Sequence, residues 1–330
     1  MDRFGLRIVV GLLALVLSAP TYAAFAKGNV LAGVGQGKIK EFTPAGVLVA
    51  TYDSTTGSNE TTGMCMDAAG NLYATMFTAH VVSKFDPNGN LLAANFITLP
   101  GSPESCQIDK AGDLLIGTGH GTTIFRYNPT TGALLNTYNA SADTGWIDIS
   151  ADQCTVLFGD DGPTIGRFNV CTSAALPDFA SVTNAVSGLR ILPGTGDVLA
   201  SNRTGVSRFS SSGTLLGNYA APSGNNLIFA VTLDPDGQTF WTADLSNGNI
   251  FRFTIDPINS TPVTKFNSGQ FVDTGGILVV GEITVGGPGP GPTPTPVAIV
   301  SVPTVSEWAL VALAIGLAGL AAWRMRRRAR

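Results

Sequence analysis

The sequence predicts an all-β chain, a six-bladed β-propeller of four-stranded antiparallel blades with sorting signals at both ends. Three observations predict it. An aromatic residue recurs at Phe42, Phe85, Tyr127, Phe168, Phe209 and Phe253, at intervals of 41–44 residues. A turn glycine recurs upstream at Gly28, Gly70, Gly112, Gly196 and Gly237, with Gln153 in the remaining slot. Inside each unit the apolar pattern alternates with a period of two, and residues 27–296 show no sustained 3.6-residue period. A repeat of about 40 residues that holds four short strands is a propeller blade.

The second unit shows how a blade is written. Met64-Cys65-Met66 leads into the turn Asp67-Ala68-Ala69-Gly70, and Leu72-Tyr73-Ala74-Thr75 follows. Val81 to Phe85 then meets the turn Asp86-Pro87-Asn88-Gly89, and residues 91–96 finish the unit. Short β-rich runs between Asp, Asn, Pro and Gly turns read as hairpin-linked strands. Units at 63–98, 104–140, 145–181, 186–222 and 228–269 are complete. The first, 28–54, begins at its turn and holds three strands. Residues 275–285, rich in Ile and Val, are expected to return as its missing inner strand and close the ring like velcro. Without closure, unpaired strand edges would be left open to other chains.

A charged residue precedes each repeat aromatic: Glu41, Lys84, Arg126, Arg167, Arg208 and Arg252. Neighbours on a strand point to opposite faces, so the aromatic packs between blades while its charged neighbour faces away.

Residues 1–26 read as a secretory signal peptide. Arg3 and Arg7 precede an apolar run at 8–17, and Ala24-Phe25-Ala26 offers a small-x-small cleavage site, with Thr21-Tyr22-Ala23 competing. Export turns the four cysteines into candidates for disulfides. Cys154 and Cys171 bracket a hairpin centred near residue 162 and are expected to pair, while a Cys65–Cys106 link is left open. Residues 27–296 hold 12 basic and 21 acidic side chains, a net charge of −9 that repels phosphate backbones and excludes nucleic acid.

The chain ends in three parts. A Pro/Gly-rich linker at 286–299 favours extended backbone and builds no core. The peptide Val302-Pro303-Thr304-Val305-Ser306-Glu307-Trp308 follows, and an uncharged apolar run to Trp323 leads into five arginines. This tail, residues 300–330, resembles the sorting domain named after the peptide I-P-T-L on exported proteins of Gram-negative bacteria. The resemblance implies a transmembrane helix with its arginines cytoplasmic, recognition by a sorting protease, and display at the cell envelope or surface. The blade string Asp67-x-x-Gly70-Asn71-Leu72-Tyr73 resembles the NHL repeat, and residues 28–285 resemble NHL-like six-bladed propellers of the bacterial envelope.

Chemistry is sparse. Asp86-Pro87-Asn88-Gly89 and Asp234-Pro235-Asp236-Gly237 lack the carboxylate spacing and closing Glu of a calcium loop and read as turns. No Gly-x-Ser-x-Gly elbow occurs. His80 and His120, the chain's two histidines, fall between second and third strands in loops. The expected inner strands offer Glu104, Asp148, Arg190 and Glu282 toward the channel, with Trp146 and Gln107 nearby. Calcium-dependent lactonases and streptogramin lyases of similar fold imply more carboxylates at one level, or paired axial histidines. The residues therefore favour a non-catalytic binding or structural module with no metal or cofactor, its ligand a protein or carbohydrate. A metal-dependent hydrolase or lyase at the channel is the alternative.

Deleting residues 302–330 should move the protein from the membrane fraction into periplasm or medium. Unchanged fractionation would rule out the tail as its anchor.

Overall fold

The computed structural model describes residues 25–159, 161–222, 227–270 and 274–285. They form six four-stranded antiparallel sheets. The first blade holds β1 (Val30–Val34), β2 (Lys38–Phe42) and β3 (Leu48–Asp53). The second holds β4 (Thr61–Met66), β5 (Leu72–Met76), β6 (Val81–Phe85) and β7 (Leu91–Thr98). The third holds β8 (Ser102–Ile108), β9 (Leu114–Gly119), β10 (Thr123–Tyr127) and β11 (Leu134–Asn139). The fourth holds β12 (Trp146–Ile149), β13 (Thr155–Gly159), β14 (Thr164–Asn169) and β15 (Ala174–Ser181). The fifth holds β16 (Leu189–Ile191), β17 (Val198–Ser201), β18 (Gly205–Phe209) and β19 (Leu215–Ala220). The sixth holds β20 (Ile228–Leu233), β21 (Thr239–Asp244), β22 (Asn249–Thr254) and β23 (Thr264–Asn267). β24 (Gly276–Val279) pairs with β1 and is the fourth strand of the first blade.

The turns explain the register. Asp67 accepts hydrogen bonds from the amides of Ala69 (3.0 Å) and Asn71 (2.9 Å). Gly70 beside them takes φ +85°, a left-handed conformation that costs glycine nothing. Gln153 occupies the same slot in the fourth blade at φ +58°, where a side chain is disfavoured.

Between blades lies the core. Each repeat aromatic is buried in a different interface. Phe85 packs with Leu31 and Ile39 of the first blade, Tyr127 with Tyr73 of the second, and Phe168 with Leu115 and Tyr138 of the third. Phe209 packs with Leu157 and Ile165 of the fourth, Phe253 with Leu199 and Tyr219 of the fifth, and Phe42 with Trp241 of the sixth. The period of about 42 residues thus reproduces one contact, an aromatic keyed into the preceding blade.

Both cysteine pairs are disulfides. Cys154–Cys171 has Cα atoms 5.1 Å apart and Cys65–Cys106 has them 5.8 Å apart. The first does not join directly opposed residues: Thr155 pairs with Asn169, and the Val170 amide donates to the Cys154 carbonyl at 2.8 Å, so Cys171 lies one residue beyond its expected place. Its closure of a short loop contributes about 3 kcal/mol in the chain-entropy view, beside the disfavoured Gln153. The second staples β4 to β8, the inner strands of adjacent blades.

One boundary shifts. The expected inner strand at 275–285 is only the four residues of β24, because Gly281 turns the chain at φ +80°. Glu282 therefore lies beyond the strand rather than on it.

A chain ending at Gly269 lacks β24. It should aggregate or lose its cooperative melt, whereas a chain ending at Val285 should keep it. Equal melts for the two would show that the first blade does not depend on its fourth strand.

Candidate functional site

Each blade's inner strand is a sheet edge, with backbone groups facing the axis that the sheet does not pair. A buried unpaired N–H costs about 1–3 kcal/mol, so these edges need partners. Side chains of neighbouring inner strands supply them. Ser105 Oγ on β8 accepts from the Ile147 amide at 2.9 Å and donates to the Gly145 carbonyl at 2.6 Å. Asp148 on β12 accepts from the Ile191 amide at 2.8 Å, and Thr232 on β20 accepts from the Val279 amide at 3.0 Å. Glu282 accepts from the Leu233 amide at 2.7 Å. Three blade-to-blade junctions are held in this way, and two of the four side chains, Asp148 and Glu282, are ones that the sequence marks as channel candidates.

The five channel candidates do not meet at one level. Asp148, Arg190 and Glu282 lie toward the end where inner strands turn into second strands. Glu104 and Trp146 lie at the opposite end, where β8 and β12 begin.

At the first end, Arg190 Nε donates to Glu282 at 2.8 Å and both side chains are buried. Burial pushes the Asp148 carboxyl up to about 6, against the pull of Arg190 and of the Ile191 amide. Glu282 pushes it further up. The three form a satisfied ion network with its hydrogen bonds already spent on backbone.

Aromatic side chains occupy part of the channel. Trp146, from the fourth blade, meets Phe229, from the sixth, edge to face with centroids 5.9 Å apart. These blades are separated by the fifth, so the contact lies inside the channel. Trp146 belongs to a core cluster with Ile277, Val30 and Trp241 of the first and sixth blades. Sequence reasoning placed Trp146 on an inner strand but missed Phe229. Its position follows from a register shift in β20 at Ala230, which has φ +53°. No residue pattern announces that shift.

Glu104 sits at the mouth. Its carboxyl lies against Gly119 and Gly145, where an added Cβ would fall 2.4 Å and 2.0 Å from Oε2. Burial, then the charges of Asp161, Asp143 and Glu60, pushes it well up. Asp143 is raised by burial and accepts from the amides of His120 (2.5 Å) and Gly145 (3.0 Å). His120 is exposed in the β9–β10 hairpin, edge-on to Phe77, in agreement with its expected loop position. His80 occupies the equivalent hairpin one blade earlier. Among the described residues, no group of three or more His, Cys, Asp or Glu side chains is arranged to hold a metal ion.

The charged residues before the repeat aromatics serve structure. Arg126 bonds Asp109 and Asp113, Arg208 bonds Asp197 and Asp256, and Arg252 bonds Asp234 and Asp236. Lys84 donates to the Pro129 carbonyl and Arg167 to that of Pro177. Val302, Pro303, Thr304, Val305, Ser306, Glu307 and Trp308 lie outside the described residues, as does the apolar run after them.

The pH dependence of Asp148 tests the bottom network. A carboxyl near 6 when folded and near 3.8 otherwise binds its proton more tightly in the folded state. That contribution to stability is full below pH 4 and is lost as pH rises to 6. Asp148→Asn should therefore gain on the native chain between pH 4 and 7, by up to about 3 kcal/mol in chemical denaturation. A stability difference independent of pH would contradict the assignment.

An IPTL-CTERM motif matches residues 300–327. No curated protein matches the chain in sequence. Among solved structures, a chain of the nidogen/laminin complex is similar at 14% identity and a TM-score of 0.63, over 76% of this chain and 98% of that one. Virginiamycin B lyase from Staphylococcus aureus is similar at 16% identity and a TM-score of 0.51, over 71% and 78%. At such identities the likeness is one of fold. The chain is a six-bladed β-propeller of the kind these neighbours share, carrying a C-terminal IPTL-CTERM sorting motif.

Proposed function

We propose that this protein is exported and displayed at the bacterial envelope as a non-catalytic binding or structural module, with a protein or carbohydrate as its partner. The observation that carries this is the state of the channel. Trp146 and Phe229 meet inside it, and Ser105, Asp148, Thr232 and Glu282 are engaged with neighbouring blades. The sorting motif supports delivery through the export machinery and handling by a sorting protease, with the membrane met through the tail. The two disulfides suit an oxidising compartment.

A second reading, a metal-dependent hydrolase or lyase, draws on one observation: Glu104 and Asp143 both carry raised carboxyls at one mouth, as acid–base groups do. The neighbours divide evenly, one titled a lyase and the other a complex of two proteins.

Purified full-length protein should bind its partner, found by screening envelope glycans and proteins, as well after exhaustive chelation as before. A stoichiometric calcium or zinc ion, with substrate turnover abolished by chelation, would replace the binding reading with the enzymatic one.

A further inference from the structure

β24 completes the first blade, yet the chain does not leave the ring there. Gly281 turns it at φ +80°, and residues 282–285 then run along the turn end beneath the sixth, fifth and fourth blades. Each contact has a physical reason. Asp148 in β12 and Thr232 in β20 stand just before the last paired residue of their strands, and each accepts the inner-strand amide of the next blade. In β16 that place holds Arg190, whose guanidinium only donates. Glu282 supplies the acceptor instead, taking the Leu233 amide of β20 at 2.7 Å and Arg190 Nε at 2.8 Å. Ile283 packs against the cluster of Leu192, Leu233 and Ile255 between the fifth and sixth blades. Val285 packs against the cluster of Leu157 and Leu189 between the fourth and fifth.

The far end of this segment meets Gln153, whose Nε2 donates to the Val285 carbonyl at 3.3 Å. Gln153 stands in the slot that glycine fills elsewhere. Gly28, Gly70, Gly112, Gly196 and Gly237 all take positive φ there, and so does Gln153, at +58°. The slot asks for glycine's conformation rather than for its small size, since a Cβ added to Gly112 would have nothing within 4 Å. The glutamine side chain makes three bonds that a glycine cannot. Besides Val285, Nε2 donates to the Ser150 carbonyl of its own turn at 3.0 Å, and Oε1 accepts from the Lys110 amide of the third-blade turn at 2.7 Å. The next residue, Cys154, is tied to Cys171, whose Sγ lies 3.9 Å from the Gln153 carbonyl oxygen. The crosslink thus grips the backbone that holds Gln153 in its disfavoured conformation.

We infer that residues 282–285 are a strap that closes the ring a second time, and that Gln153 is its latch, held in place by the Cys154–Cys171 disulfide. Closure then has two parts. β24 pairs with β1, and the strap ties the end of the first blade to the sixth, fifth and fourth. The chain leaves the ring beneath the fourth blade, three places round from the blade that β24 completes. The two departures of the fourth blade from the repeat, a glutamine for a glycine and a disulfide beside it, are one device.

Methyl NMR and amide exchange of the full chain test it. Gln153→Gly restores the residue of the other blades and relieves the left-handed backbone, so its fold should survive. In this variant the Val285 methyl resonances should move to the positions of an exposed valine, and the Lys110 amide should exchange roughly fivefold faster, as for the loss of one hydrogen bond. Cys154→Ser combined with Cys171→Ser should release the same Val285 methyls while leaving the Cys65–Cys106 bridge intact. Val285 methyls that stay in place in Gln153→Gly, with a melting temperature raised by the relief of strain, would overturn the latch. Release in Gln153→Gly but not in the paired serine variant would overturn the part given to the disulfide.

Discussion

A propeller gathers six sheet edges around one axis, and most features of this molecule follow from what those edges require. The outer strands of the blades face water, which satisfies their free backbone groups. The inner strands face one another in a space too narrow for bulk solvent. Their amides must find acceptors on the neighbouring blade, which is why short polar side chains recur there: Ser105, Asp148 and Thr232 each hold the amide of the next inner strand. Between β4 and β8 the Cys65–Cys106 disulfide adds a covalent link to the hydrogen bonds that Thr62 and Thr75 donate to the Pro103 and Glu104 carbonyls. Polar residues lining this axis are therefore poor evidence of catalysis by themselves. Two of the residues that read from sequence as channel candidates, Asp148 and Glu282, hold the ring shut.

The repeat was legible because one contact generates it. A bulky aromatic at the end of every third strand fills the interface with the preceding blade, and no substitute for that volume occurs in any unit. Phe42, Phe85 and Phe253 stand in register, and each sits in its own cluster. The Cys154–Cys171 pair was legible for a local reason, since hairpin arithmetic brings its residues within one position of each other. The channel was not legible. Phe229 reaches the axis through the irregularity at Ala230, and backbone irregularities leave no periodic mark. Glu104, Asp148, Arg190 and Glu282 were visible as inner-strand polar residues, but alternation along a strand does not say at which end of a twisted blade each one emerges. That Arg190 bonds Glu282 across 92 residues of sequence depends on ring closure, a tertiary fact.

The two irregular blades reveal how turns are replaced. In the fourth, Gln153 occupies the glycine slot at φ +58°. Asp152 there accepts from the amides of Cys154 and Thr155, and burial is outweighed by these bonds, which hold its carboxyl down at about 2. A disulfide lies immediately beside it. In the first blade the turn is broken by the chain ends, and the charge of the residue before the aromatic is reversed to match. Both departures from the repeat occur at one end of the barrel of blades, where first and second strands meet, and both preserve a satisfied backbone.

That division gives the two ends different characters. At the turn end, Arg190 is matched by Glu282, and Arg126, Arg208 and Arg252 by turn aspartates, so positive and negative charges largely cancel at short range. The described chain also enters and leaves here, at Phe25 and Val285. At the mouth end the balance differs. Burial, and then the charges of Asp161, Asp143 and Glu60, raise the carboxyl of Glu104. His80, His120, Asp161 and Arg203 hold left-handed backbone in the hairpins that frame that end, conformations that cost side chains free energy and concentrate at functional loops. The turn end thus spends its charges on folding, whereas the mouth keeps its backbone strain in the hairpins.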